Sequence, residues 1–242
     1  MNPIIVIPAR MSSTRLPGKP MADIGGTPMI VRVWARAVEA AIGPVVVAAG
    51  DEVIRAAIVR AGGHAVLTDP DLPSGSDRIH AALVEFDPER RFDAVINLQG
   101  DLPGVSPAAI RQVARALAES GADIATLAAP IANADDANNP NIVKPVVAWN
   151  AQETRGEALY FSRARVPAGS GAFFHHVGIY AYTRAALAHF VALPPSPLER
   201  RESLEQLRAL EAGMRIVVAR IDEVPLSVDT PEDLALARRL LS

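Results

Sequence analysis

The sequence predicts an α/β fold, a mainly parallel sheet with helices on both faces, and two observations carry that expectation. Short β-branched runs alternate with longer segments of helical periodicity as far as Ala128, which is the pattern of strand–helix–strand crossovers. At 242 residues the chain is long enough for one large domain with a modest insertion and a substantial core.

The elements follow in order. Residues 3–8 form an apolar, β-branched strand, and a glycine- and proline-rich loop runs on to about Thr27. Residues 28–41 predict a helix with proline in its first turn, where the missing N–H is harmless. Residues 45–49 predict a strand, 52–61 a helix, 64–67 a strand and 76–86 a helix. Strand 94–98, helix 107–120 and strand 124–128 complete the regular part. Beyond residue 130 the pattern loosens. Strand-like runs at 143–149 and 177–182 are separated by polar loops, so residues 130–190 are expected to be a substrate-binding or dimer-forming excursion within one domain. Helices at 184–191 and 197–212, a strand at 216–219 and a final helix from Pro231 close the chain. Asp229 and Thr230 are both candidate N-caps of that last helix.

Composition excludes several classes of function. The net charge is −3, so nothing in the balance points to nucleic acid or membrane, and an anionic ligand must be held by a local cationic cluster. There are no cysteines, which removes disulfides, thiolate metal sites and cysteine nucleophiles. The first apolar run is too short for a signal peptide and lacks a basic leader, and no run reaches the length of a membrane span. A cytoplasmic enzyme is the expectation.

Chemistry is expected at the carboxyl ends of the strands. The segment from Pro8 to Met21 leaves the first strand with three cations, Arg10, Arg15 and Lys19, and with the hydroxyls of Ser12, Ser13 and Thr14. Backbone amides and cations in such a loop suit a polyphosphate. The loop matches neither the Walker nor the dinucleotide glycine pattern. Gln99 and Asp101, separated by Gly100, stand just beyond the strand at 94–98. They share parity, and Gly100 would let a ligand approach the backbone. A carboxylate there suits Mg²⁺ between protein and phosphate, although a helix cap would explain a lone Asp about as well. Asp229 has the same two readings. Ser74 or Ser76 would cap the helix that carries Asp77. His175 and His176 adjoin on one strand and point to opposite faces, so they do not share a metal. Glu205 and Gln206 lie on an amphipathic helix and read by default as its solvated side.

These landmarks resemble the 3-deoxy-manno-octulosonate (Kdo) cytidylyltransferase, or CMP-Kdo synthetase, family. The matching segments are Pro-Ala-Arg-x-x-Ser-x-Arg-Leu-Pro-x-Lys from Pro8, Ser-Gly-Ser-Asp-Arg from Ser74 and Gln-Gly-Asp-Leu-Pro from Gln99. Asn139-Pro-Asn-x-Val-Lys144, His-His-Val-Gly-Ile-Tyr180 and Leu-Glu-Gln-Leu-Arg208 follow in the family's order. The resemblance implies a nucleotide-diphospho-sugar transferase-like fold, and CTP and Kdo as partners in lipopolysaccharide synthesis. It implies Arg10, Ser13, Arg15, Lys19, Ser74 and Gly75 at the nucleotide, with Lys19, Arg15 and Asp101 catalytic. Arg78, Gln99, Arg163, His176, Tyr180, Glu205 and Gln206 would bind the sugar. Asp101 and Asp229 would hold Mg²⁺, and the chain would form a homodimer. Two departures stand out: Leu102 replaces a frequent glutamate, and the segment between Pro167 and His175 is short. Related expectations are a cytidylyltransferase for sialic acid or an amino-substituted Kdo, and a nucleotide-binding module without activity.

Overall fold

A computed structural model describes residues 1–13 and 15–241, with the side chain of Ala134 left out. Thr14, one of the expected loop hydroxyls, lies outside the described residues. In chain order the elements are β1 (Pro3–Ala9), β2 (Asp23–Ile24), β3 (Thr27–Pro28), α1 (Met29–Ala40), β4 (Val45–Ala49) and α2 (Glu52–Arg60). Then come β5 (His64–Leu67), α3 (Gly75–Phe86), β6 (Ala94–Asn97), α4 (Pro107–Ser120), β7 (Ile124–Pro130) and β8 (Lys144–Trp149). The chain ends with β9 (Arg155–Ser162), β10 (Phe174–Thr183), α5 (Arg184–Ala192), α6 (Pro197–Glu202), α7 (Gln206–Glu211), β11 (Ile216–Arg220) and α8 (Pro231–Leu241). They form two compact units, Met1–Arg111 with Pro225–Ser242, and Gln112–Val224.

The first unit is a parallel sheet flanked by helices, with strand order β5-β4-β1-β6. Ile4, Ile5, Val6 and Ile7 of β1 are all fully buried. A strand covered on both faces reads as a continuous apolar run for that reason. Helices α1, α2 and α3 pack on this sheet. Pro28 closes the short β2–β3 ribbon and occupies the N-cap of α1, so the helix begins at Met29, one residue after the expected start. Its extended ψ of 139° cannot be helical. The last helix returns to this unit, where Leu234 and Ala237 pack with Ile24, Met29 and Val228. That packing anchors the segment carrying Asp229.

The second unit holds a mixed sheet, β10-β7-β11-β9-β8, in which only β7 and β11 run parallel. Strand β9 was not expected. Its sequence, RGEALYFS, mixes charge and apolar residues without clean alternation, so local pattern reads it as loop. Pairing on both edges, with β11 and with β8, makes it a strand. The helix expected at 197–212 is broken: Ser203 takes a left-handed conformation, φ 54°, and separates α6 from α7. Amphipathic spacing alone gives no signal for that break.

Candidate active site

The site in the first unit is built on three strand ends and one helix start. β1 ends at Ala9, and the loop beyond it is closed by Gly18 N–H donating to the Met11 carbonyl, 3.3 Å. Gly18 takes φ 70°, which favours glycine and opens the turn at Lys19–Met21. Asp51 braces the start of the loop: its carboxylate accepts from the Met11 N–H at 2.7 Å instead of capping α2. Nothing in the sequence distinguishes Asp51 from an ordinary N-cap, so its bracing role is visible only in the folded chain.

Lys19 stands between the two acids. Its ammonium donates to Asp101 Oδ2 at 2.8 Å and to Asp229 Oδ1 at 3.1 Å, and Arg15 donates to the same Asp229 oxygen at 3.1 Å. The Val228 N–H donates to the Asp101 carbonyl at 2.9 Å, so the two acidic segments are joined through the backbone as well. Burial by itself would lower the Lys19 pKa, but Asp101 and then Asp229 outweigh it and hold the ammonium above its ordinary value.

The cap role left open for Asp229 falls to its neighbours. Thr230 Oγ1 accepts from the Asp233 N–H at 3.2 Å, while the Asp233 carboxylate accepts from the N–H groups of Asp229 and Thr230 at 3.0 and 2.9 Å. This is the reciprocal arrangement of a helix start. Thr230 therefore caps α8, and the Asp229 side chain faces Lys19 and Arg15.

Pro8, Arg10, Ser12, Ser13, Arg15, Lys19, Gln99, Asp101 and Asp229 line one cleft of about 690 Å³. A cleft of that size suits a small-molecule ligand. Its lining combines three cations with two carboxylates, so it can neutralise phosphates and hold a hard cation side by side. The facing carboxylates of Asp101 and Asp229 fit a divalent ion of the magnesium type, which takes few protein carboxylates and completes its shell with water and ligand oxygens. Gly75 adjoins this region, beside Pro8 and Gln99. Ser74 caps α3, accepting from the Asp77 N–H at 3.2 Å and donating to the Asp77 carboxylate at 2.6 Å. Gly100 lines the same cleft and has a packing reason as well: a Cβ there would lie 2.8 Å from the Pro8 carbonyl oxygen. Leu102 is buried.

Arg78 is 2% exposed. It donates to Thr68 Oγ1 at 2.7 Å and to the carbonyls of Asp69 and Pro70 at 2.9 and 3.1 Å. Burial first, then the charge of Arg10, lowers its pKa. In this structure the guanidinium holds the 68–70 turn.

The remaining expected residues lie in the second unit. Arg163 docks where α6 breaks, donating to the carbonyls of Glu202, Ser203 and Pro140 at 2.7, 3.2 and 3.1 Å. Glu202 in turn accepts from the Arg163 N–H at 2.9 Å and from Ser162 Oγ at 2.8 Å. Lys144, fully buried, donates to the carbonyls of Asn139, Ile142 and Arg163. His176 packs against Phe161 and Tyr180, with ring centroids 5.0 and 5.5 Å apart. Burial holds the Tyr180 phenol well above its usual pKa, with Tyr182 and Glu205 adding to the effect. Gln206 is 7% exposed, contrary to the default reading of a solvated face, and its Nε2 is buried without a partner. Leu204 and Leu207 bury beside it, and the break at Ser203 reorients α7 relative to a continuous helix. Glu205 is half-buried. No helix among the described residues is long and apolar enough to cross a membrane.

Comparison with known proteins gives the family. Residues 4–216 match a family model described as cytidylyltransferase. A 3-deoxy-manno-octulosonate cytidylyltransferase from Parvibaculum lavamentivorans is 60% identical over 241 residues, covering 100% of this chain and 93% of that protein. One from Paramagnetospirillum magneticum is 58% identical, covering 100% and 98%. A solved structure of CMP:2-keto-3-deoxy-manno-octonic acid synthetase complexed with CTP is 39% identical, with a TM-score of 0.90 and coverage of 100% and 98%. A match that spans both units at this identity places the whole chain, and it belongs to the 3-deoxy-manno-octulosonate cytidylyltransferase family.

Proposed function

We propose that this chain transfers CMP from CTP to Kdo, giving CMP-Kdo and pyrophosphate for lipopolysaccharide synthesis. The observation that carries the reading is the Lys19 ammonium between Asp101 and Asp229, in a cleft whose other cations are Arg10 and Arg15. A nucleoside triphosphate brings the anions this cationic loop lacks, and the paired acids supply a place for Mg²⁺. The names and identities of the relatives support the same substrates.

In the reaction, the anomeric 2-hydroxyl oxygen of Kdo forms a bond to the α-phosphorus of CTP. The bond from that phosphorus to the bridging oxygen breaks, pyrophosphate leaves, and the hydroxyl proton is lost. The protein's part is positioning and charge neutralisation. Arg10, Ser13, Arg15 and Lys19 hold the triphosphate, and Lys19 and Arg15 stabilise charge on the departing pyrophosphate. Ser74 and Gly75 are assigned to the base. Asp101 and Asp229 would hold Mg²⁺, which when bound polarises the α-phosphate and eases loss of the hydroxyl proton. The family's motifs assign Arg78, Gln99, Arg163, His176, Tyr180, Glu205 and Gln206 to the sugar. A homodimer and a cytoplasmic location, where CTP is available, belong to the same reading.

The test is pyrophosphate release by the purified chain with CTP, Mg²⁺ and Kdo, beside sialic acid, an amino-substituted Kdo and no sugar. Release with Kdo alone is expected. Release only with another acidic sugar would keep the mechanism and overturn the substrate. Silence throughout in folded protein would leave a nucleotide-binding module.

A further inference from the structure

We propose that Thr126 fixes His176 as its neutral Nε2–H tautomer, leaving Nδ1 as the acceptor for a hydroxyl of the bound sugar acid. The second half rests on the reading given under Proposed function. The first half stands on geometry alone.

Thr126 lies on β7 and is fully buried. Its Oγ1 has three polar neighbours: His176 Nε2 at 3.0 Å, the Val177 carbonyl at 3.2 Å and the Ile179 carbonyl at 2.9 Å. The register between β7 and β10 shifts between Val177 and Tyr180, and at this irregularity both carbonyls reach one hydroxyl. A hydroxyl has one hydrogen and two lone pairs, whereas a carbonyl only accepts. If the hydrogen pointed at His176, the oxygen would face the Ile179 carbonyl across 2.9 Å with no proton between them. A buried acceptor left in that state costs about 1–3 kcal/mol. With the hydrogen given to the carbonyls, the remaining partner must donate, and that partner is Nε2.

The ring is also kept neutral. Burial lowers the His176 pKa to about 3, and the neighbouring His175 adds to the shift. A neutral imidazole has one donor and one acceptor, and its donor is engaged by Thr126. Among the described residues no hydrogen bond reaches Nδ1. Gln206 Nε2, in the same unit, is a buried donor without a partner. A sugar hydroxyl offers a hydrogen and two lone pairs, so a polyol can use both an acceptor and a donor. Thr126 is thus a positioning residue: its hydroxyl is taken up by His176 and two carbonyls, and it sets which end of His176 accepts. A site that offers an acceptor discriminates against an analogue lacking the matching hydroxyl.

The test is the ring-nitrogen spectrum of the full-length chain, ¹⁵N-labelled at histidine, with His176 assigned by its loss in His176→Gln. In the wild type, Nε2 is expected to be protonated and Nδ1 unprotonated at neutral pH. Thr126→Val should mix the two tautomers, and Thr126→Ser should restore the wild-type pattern. In Thr126→Val, KM for the acidic sugar should rise about tenfold, equivalent to ~1.4 kcal/mol or one hydrogen bond, while KM for CTP stays within about twofold. A wild-type His176 protonated at Nδ1 overturns the proposal even if Thr126→Val fails to fold. So does an unchanged tautomer in folded Thr126→Val. An unchanged sugar KM with the expected spectra overturns the role of Nδ1. Wild-type silence on every acidic sugar, with the expected spectra, instead overturns the function while supporting the tautomer assignment.

Discussion

Lys19 and Asp101 are 82 positions apart in the chain and meet across 2.8 Å. One comes from the loop after β1 and the other from the end of β6, and the parallel pairing of those strands brings them together. Asp101→Asn should reduce pyrophosphate release by orders of magnitude at saturating Mg²⁺. The fold should survive, because Lys19 keeps its contact with Asp229. The checks are turnover and thermal melting of the same preparation. Near-normal turnover would remove Asp101 from the reaction.

Lys19→Ala leaves two carboxylates facing each other without their cation and removes a charge from the phosphate cleft. KM for CTP should rise at least tenfold, the scale of one charge-assisted hydrogen bond at about 1.5–3 kcal/mol. KM for the sugar should change far less. Equal losses on both substrates in steady-state kinetics would contradict a specific phosphate role.

Gly100→Ala places a Cβ 2.8 Å from the Pro8 carbonyl oxygen, a backbone atom of a buried strand. Separation of β1 from the 99–101 turn should cost about 1–3 kcal/mol, as overpacking does. It should also move Asp101 and lower activity. Urea denaturation measures the first effect, and full wild-type stability would count against the clash.

Arg208 and Glu199 form a two-bond pair in which both side chains are mostly buried, 11% and 13% exposed, and Arg208 also donates to the Leu193 carbonyl at 3.1 Å. Arg208→Met leaves Glu199 without its cation. Removing one partner of such a pair costs about 3–5 kcal/mol, and the partial exposure here favours the lower end. Denaturant unfolding should show the loss, whereas a change below about 0.5 kcal/mol would mean that the pair is replaceable.

Glu202 gives a pH dependence. Burial tends to raise its pKa, but hydrogen bonds from the Arg163 N–H, Ser162 and Tyr160 outweigh that and lower it below 4.5 in the fold. At pH values where the unfolded glutamate binds more protons, stability rises with pH. The contribution of Glu202 is therefore complete above its unfolded pKa and is lost as pH falls through the lower folded value. Melting temperatures of wild type and Glu202→Gln should converge as pH drops below about 4.5, with the wild type higher at neutral pH. Parallel curves would show that Glu202 is not a source of the acid sensitivity.

Much of this protein was legible in its sequence because the relevant signals are local. Continuous β-branched runs marked β1, β4 and β6, since strands buried on both faces need no polar positions. Cations clustered after the first strand marked the cationic loop, and position just beyond β6 marked Gln99 and Asp101, which line one cleft. The strand ends at Asn97 and the chain turns at Gly100, so strand parity does not carry that far. The family's motifs added the residues proposed for the base and the sugar, which periodicity alone does not suggest. What stayed hidden depended on partners distant in sequence. β9 is a strand because β8 and β11 pair with both its edges, and the helix over 197–212 breaks where Arg163 takes up its carbonyls.

Asp229 shows the division most clearly. The sequence by itself fixed a carboxylate at the start of the last helix, with two roles open, metal ligand and N-cap. The tertiary structure gives the cap to Thr230 and Asp233, while Lys19, 210 positions away, draws the Asp229 carboxylate into the cleft. Helix and strand formation follow from periodicities of a few residues, which any short window contains. The meeting of Lys19, Asp101 and Asp229 follows from strand order and from the packing of α8 on Ile24 and Met29, which only the folded chain specifies.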